Sequence, residues 1–169
     1  MTDATPAEKS YNGFPGAFPY AIQASDSWLF KGYVIVAVLL SAFISLFFLG
    51  GLLNALASTV GARGGTFTFS RTFVLFVGLL VVAPLLAPVL LVARRHRRTA
   101  SSVAYDRAMA LSALVFVVAL FVGLVASTPA ELQDTDGTGS VLYTLPSELG
   151  LVFPVAAVAL MYLVHRRLK

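Results

Sequence analysis

The stretch LLVARRHRRTASS, residues 90–102, joins an apolar run directly to four arginines and a histidine. Upstream of these arginines, residues 72–93 contain no Asp, Glu, Lys or Arg, and this run exceeds the roughly 20 residues that a helix needs to cross a bilayer. Similar runs cover residues 32–62, 108–130 and 149–165. An apolar run that ends in clustered arginines is typical of a membrane span held at a headgroup surface.

The composition agrees with this interpretation. Of the 169 residues, 58% are hydrophobic and 12% are charged, whereas a soluble domain carries roughly 25% charged residues. The absence of cysteine excludes disulfides and thiolate metal sites. The N-terminus, MTDATPAEKSYNGFPG, has no basic region leading into an apolar stretch, so we expect no cleavable signal peptide. The sequence predicts an integral membrane protein without a large aqueous domain.

We predict an all-α polytopic fold with four transmembrane helices. A flexible cytoplasmic tail is expected over residues 1–17, and a single four-helix membrane domain over residues 18–169. Ser25 or Ser27 can cap the first spanning helix, and Pro146 with Glu148 favours the start of the last one. A short surface helix is also expected around residues 18–25. The predicted spans are residues 33–56, 73–93, 103–127 and 146–165.

The distribution of basic residues predicts the orientation. With an even number of spans, both termini share the side of residues 94–107, and residues 57–71 and 128–145 lie opposite. The first side then carries ten of the 12 basic residues, and only Arg63 and Arg71 lie on the other. The positive-inside rule therefore predicts a plasma-membrane protein with residues 94–107 and both termini in the cytoplasm.

The clustered arginines are predicted to anchor the protein against anionic lipid headgroups. Phosphorylation at Thr99 or Ser101 is an alternative for this stretch. Nucleic-acid binding is not expected, because one cluster held at the lipid surface offers no second contact surface. The predicted anchor residues are Arg94, Arg95, Arg97, Arg98, Arg166 and Arg167.

Within the spans, the sequence offers little chemistry. Pro84 and Pro88 each remove an amide donor, which predicts a helix kink. Ser41, Ser45 and Asn54 are candidates for polar contacts between helices. No ionisable side chain is expected deep within any span, so proton-coupled transport is disfavoured.

Small residues recur at four-residue spacing in two of the spans. They predict close approach of helix backbones, either within the bundle or between copies of the chain. The rows consist of Ala37, Ser41 and Ser45 in the first span and Ala119, Gly123 and Ser127 in the third.

Two further patterns resemble ligand sites, and each has a feature that speaks against ligand binding. His96 and His165 end two spans at the same face and could pair as metal or haem ligands, but their basic surroundings predict solvated side chains. The loop over residues 134–145 begins like a calcium loop with Asp134 and Asp136, but Leu145 stands where a bidentate Glu is needed. No cofactor is expected.

Three segments resemble small uncharacterised four-span proteins of haloarchaea. They are FPYAIQASDSWLFKGYV, GGTFTFSR and VVAPLLAPVLLVARRHRR, at residues 18–34, 64–71 and 81–98, and nine Arg against three Lys fits the same group. The resemblance implies a membrane location and assigns no activity.

These observations predict a non-catalytic accessory or scaffolding subunit of a membrane complex, with a membrane-protein partner or a second copy of the chain bound to it. The alternative is a small oligomeric channel or uncoupled transporter, using the proline kink and the Ser41–Ser45–Asn54 row. An enzyme is not expected, because no pair of nucleophile and base is identifiable.

Overall fold

The computed structural model describes residues 13–58, 76, 78–99, 101–133 and 140–169, and over these residues the fold is all-helical, without strands. A π-helical turn at Gly78–Val82 leads into the third helix, and short 3-10 turns lie at Ala130–Leu132 and Ser140–Thr144. The long helices are α1 Gly13–Ala24, α2 Trp28–Ser58, α3 Ala83–Thr99, α4 Val103–Ala126 and α5 Leu149–Leu168.

Three of these helices are long and apolar enough to cross a membrane, namely α4, α5 and Trp28–Asn54 of α2. Only 17% of the apolar window of α2 and 33% of that of α4 is buried inside the protein. An exposed apolar surface of this extent is stable only when lipid or another protein covers it. The three helices confirm the expectation of membrane-capable segments.

The second expected span, residues 73–93, is not among these three helices, and its described part consists of the π-helical turn and the first part of α3. Pro84 is the second residue after that turn and lacks the amide that would bond to the carbonyl of residue 80. A π-helical turn shifts the hydrogen-bond register at this point, which is one way for a helix to accommodate proline. Residues 72–75 and 77 lie outside the described residues.

The core lies mainly where α1 to α4 meet, and it is formed by fully buried side chains such as Phe30, Tyr33, Leu85 and Phe116. The Tyr33 hydroxyl donates a hydrogen bond of 2.6 Å to the carbonyl of Leu85, joining α2 to α3. This carbonyl neighbours that of Pro84, which loses its usual donor because Pro88 has no amide hydrogen.

The start of α2 is fixed by two serines. The Ser27 hydroxyl accepts a hydrogen bond from the amide of Phe30, and the Ser25 hydroxyl accepts one from the amide of Ser27. Ser27 is therefore the helix cap, which confirms one of the two expected candidates. Because Ser27 caps the helix, α2 begins at Trp28, before the expected span over residues 33–56.

Two other expected boundaries were wrong. The tail expected over residues 1–17 is too long, since α1 begins at Gly13 and Ala17 is already buried. The last helix begins at Leu149 and not at Pro146, because the preceding residues form a turn in which the amide of Leu149 bonds to the carbonyl of Pro146. The calcium-like residues Asp134 and Asp136 lie outside the described residues.

Helices α4 and α5 form a close antiparallel pair. A Cβ atom on Gly123 would overlap the carbonyl oxygen of Gly150, and one on Gly150 would overlap the Ser127 hydroxyl. The backbone can approach this closely only where side chains are small. Gly123 and Ser127 of the second small-residue row therefore serve packing within the bundle.

Candidate functional site

The ends of five helices converge at one end of the bundle, named here the basic end. Helices α1, α3 and α5 finish there and α2 and α4 begin there, as the contacts of Asp106 with Ser25 and His96 and of Tyr105 with His165 demonstrate. The last turns of α3 and α5 bring the arginines and histidines of the sequence to this end.

A buried carboxylate lies at the centre of the basic end. Asp106 is in the first turn of α4 and is 0% exposed. The Ser25 hydroxyl donates to its Oδ2 at 2.6 Å, the Ser101 hydroxyl donates to its Oδ1 at 2.7 Å, and Nε2 of His96 lies 2.9 Å from Oδ2. Three partners, from the turn between α1 and α2, from α3 and from the turn before α4, thus meet on one side chain.

Asp106 lies in the first turn of α4, so it does not contradict the expectation that no ionisable side chain lies deep within a span, but its burial in the protein was not predicted. Asp106 shares the buried stripe of α4 with Met109, Ala110 and Ala113, at helical spacing. Burial of a carboxylate without partners would cost much free energy, so the fold requires the three hydrogen-bonding partners of Asp106. The sequence feature that indicates its burial is the helical spacing of Asp106 from apolar core positions, whereas its neighbour Arg107 is exposed.

The solvated role expected for His96 was wrong, whereas His165 is partly exposed. The side chain of His96 is only 12% exposed and forms an ion pair with Asp106 when protonated. Nδ1 of His165 lies 2.7 Å from the hydroxyl of Tyr105. The two histidines have separate partners, and no group of three or more metal-ligating side chains occurs among the described residues.

Arg95 connects this region to the end of α5. Its guanidinium carbon lies 4.1 Å from the centroid of the Tyr105 ring, within the range of a cation–π interaction. The same guanidinium donates a hydrogen bond to the carbonyl of Leu168. Arg95 therefore serves as a cap for the last turn of α5 and is held in one orientation.

A cavity of about 530 Å³ opens beside Arg95, between the last turns of α3 and α5. Leu91, one helical turn before Arg95, forms its apolar side. The basic side chains that line this cavity, named here the cationic cavity, are Arg94, Arg95, Arg98, His165 and Lys169. Of the predicted headgroup anchors, three line the cavity, while Arg166 and Arg167 are exposed outside it.

The polar residues predicted within the spans do not form one site. Ser41 is buried, and its hydroxyl has no hydrogen-bond partner within the described part of the chain. Ser45 and Asn54 are exposed. They are nine residues apart, or about 2.5 helical turns, and so lie on opposite sides of α2. The described residues therefore offer no single polar lining for the predicted channel.

The arrangement of Ser25, Asp106 and His96 does not activate a nucleophile. In a catalytic triad the histidine lies between the serine and the carboxylate, so that it can accept the serine proton. Here the serine and the histidine both contact the same carboxylate. The cluster joins α1, α3 and α4, and its chemistry is that of a structural contact.

Three apolar helices and a polar cluster that joins helix ends indicate a helical membrane protein, consistent with several passes. Residues 1–169 match the family described as a domain of unknown function, DUF8056, and the chain belongs to that family. The chain has no match among curated proteins and none among solved structures. The description of the family names neither an activity nor a lineage, so the resemblance to haloarchaeal proteins stays a prediction.

Proposed function

We propose that this chain is a non-catalytic accessory or scaffolding subunit of a membrane complex, and that it crosses the plasma membrane four times. Support for a span over residues 73–93, in addition to the three membrane-capable helices, comes from α3, which runs antiparallel to α4. His96 contacts Asp106 at one end of this pair, and Leu80 and Gly123 line a common cavity towards the other. A helix placed in this way continues an alternating arrangement of α2, α3, α4 and α5.

In the proposed orientation, the basic end faces the cytoplasm. The chain contains no cysteine, so single cysteines report their own side of the membrane. Ser102 is exposed at the basic end, and Val141 is 73% exposed in the segment between α4 and α5. In intact cells, an impermeant thiol reagent is expected to label Val141→Cys and to spare Ser102→Cys until the membrane is opened. The opposite pattern would contradict this orientation.

The observation that carries the proposed role is a groove on the second half of α2 that none of the described helices covers. The groove is named here the α2 groove; its residues are Phe43, Leu46, Phe47, Gly50, Gly51 and Asn54. Asn54 is exposed, and a Cβ atom on either glycine would meet nothing within 4 Å. A polar amide beside two glycines in an apolar helix favours close association with another helix. A partner helix would cover Asn54 and satisfy its amide.

Photo-crosslinking tests this role. A benzoyl-phenylalanine in place of Phe47 puts the reactive group in the α2 groove, and one in place of Phe121 puts it on α4, where the side chain is 61% exposed. Irradiation of native membranes is expected to crosslink the Phe47 variant to one membrane protein and the Phe121 variant to lipid. Crosslinks that join only copies of this chain, or that are equal at both positions, would contradict the accessory role.

A further inference from the structure

We infer that the cationic cavity is a binding site for one phosphate-bearing anion. A general attraction of basic side chains to lipid headgroups would not require a cavity. The cavity of about 530 Å³ has the size of ordinary small-molecule sites. It lies between the last turns of α3 and α5, and five basic side chains line it.

The charges in the cavity lack a counterion from the described residues. No carboxylate of these residues lies within 4 Å of the charged groups of Arg94, Arg98 or Lys169. The nearby Asp106 carboxylate contacts Ser25, Ser101 and His96, and its ion pair is with His96 and not with an arginine of the cavity. Like charges held around one concave surface repel each other, and a bound anion relieves that repulsion.

Helix capping accounts for only part of this charge. Cations are favourable near helix C-termini, and Arg95 satisfies the carbonyl of Leu168 in this way. Arg94 and Arg98 make no such contact with the residues that the structure describes, although they are on the same helix and line the same cavity. Both side chains are exposed at the rim of this cavity, so capping does not explain why they line it, whereas a ligand site does.

Two groups of the cavity are already oriented for an anion. Arg95 is held by the Tyr105 ring and the Leu168 carbonyl, so it loses little freedom when it binds. When the Tyr105 hydroxyl donates to Nδ1 of His165, the ring proton lies on Nε2, which becomes a donor. Planar guanidinium groups match phosphate oxygens in pairs, which favours a phosphate over a halide.

The apolar side of the cavity indicates how such an anion would arrive. Leu91 lines the cavity one turn before Arg94, in the direction of the apolar part of α3. A phosphate attached to an acyl or isoprenoid chain could place its charge among the arginines and its chain beside Leu91. A free phosphate ester offers the same charge without the chain, so the source is a matter for experiment.

Native mass spectrometry of the full chain in a nonionic detergent tests this inference. The probes are phosphatidylglycerol, phosphatidylcholine with the same acyl chains, and inorganic phosphate. We expect one phosphatidylglycerol to bind per chain. Phosphatidylcholine is expected to bind more weakly, because the cavity repels its trimethylammonium group. Inorganic phosphate that binds with the same dependence on Arg94 and Arg98 would assign the site to a soluble phosphate. Equal binding of both lipids without phosphate binding would overturn the inference.

Two variants with equal loss of charge separate a site from general surface charge. Arg94→Gln with Arg98→Gln changes the cavity, and Arg166→Gln with Arg167→Gln changes exposed residues outside it. The cavity variant is expected to bind phosphatidylglycerol at least about tenfold more weakly, because charged hydrogen bonds are lost. The affinity of the control variant is expected to fall by less than about threefold. Equal losses would overturn the inference. If the cavity variant fails to fold, Lys169→Gln against Arg167→Gln gives the same comparison with single charges.

Discussion

At the scale of single residues, Asp106 has the greatest consequence for the fold. Its carboxylate joins Ser25, Ser101 and His96, which come from different parts of the chain. Buried charges of this kind are stable only when all of their partners are present. Each partner therefore depends on the others, and the packing of α1 and α3 against α4 depends on one side chain.

Replacement of Asp106 by alanine is expected to destabilise the protein by about 3 kcal/mol or more, because buried donors lose their acceptor. The measurement is unfolding by sodium dodecyl sulfate in mixed micelles, followed by circular dichroism. Asp26→Ala is the matched control, since Asp26 is exposed in the turn beside Ser25, and a change within about 0.5 kcal/mol is expected there. Equal losses of stability in the two variants would contradict the central role of Asp106.

Asp106 also marks the limit of the sequence analysis at this scale. Arg94 to Arg107 contain most of the charge of the middle of the chain, and in that context an aspartate is easily read as part of a solvated turn. Only its helical phase with Met109 and Ala113 indicates burial. The ion pair with His96 could not be predicted, because it depends on how α3 and α4 dock.

At the scale of helices, the sequence predicted caps and close packing at small residues better than it predicted where each helix begins and ends. The Ser27 cap and the small residues Gly123 and Ser127 were identified in advance, since each acts through its own backbone surroundings. Gly150 was not identified. Its close approach to Gly123 depends on α5, where Pro154 lacks the amide that would bond to the Gly150 carbonyl.

A methyl group at Gly123 tests the close contact of α4 with α5. Gly123→Ala places a Cβ against the Gly150 carbonyl, and backbone cannot move aside as a flexible side chain can. The helices must separate, so a loss of about 1–3 kcal/mol is expected in the same unfolding measurement.

The control for this variant is the same substitution in open space. Gly32 lies in α2, and its Cβ would meet nothing within 4 Å. Gly32→Ala is therefore expected to be neutral or to stabilise by up to about 1 kcal/mol, as alanine favours a helix over glycine. A Gly123→Ala variant as stable as Gly32→Ala would exclude the close packing of α4 against α5.

At the scale of the whole molecule, the sequence predicted an all-helical membrane protein but not the arrangement of its helices. The apolar residues of α2 and α4 lie on all sides of each helix, so no single stripe indicates which side faces the protein. The convergence of five helix ends therefore became visible only in the structure. It brings together the arginines of α3 and α5, which form two separate clusters along the sequence.

In the proposed topology, the apolar helices hold the chain in the membrane and the arginines of the basic end orient it. Four arginines near an anionic leaflet contribute about 1 kcal/mol each. The three membrane-capable helices contribute more, because each has about 20 or more residues and each central apolar side chain favours insertion by about 0.3–0.6 kcal/mol. Replacement of Arg94, Arg95, Arg97 and Arg98 by glutamine is therefore expected to leave the chain in the membrane pellet after an alkaline carbonate wash. Thiol labelling of Ser102→Cys in this background is expected to become mixed between the two sides. Release into the supernatant would mean that charge at the basic end, and not the apolar surface of the helices, retains the protein.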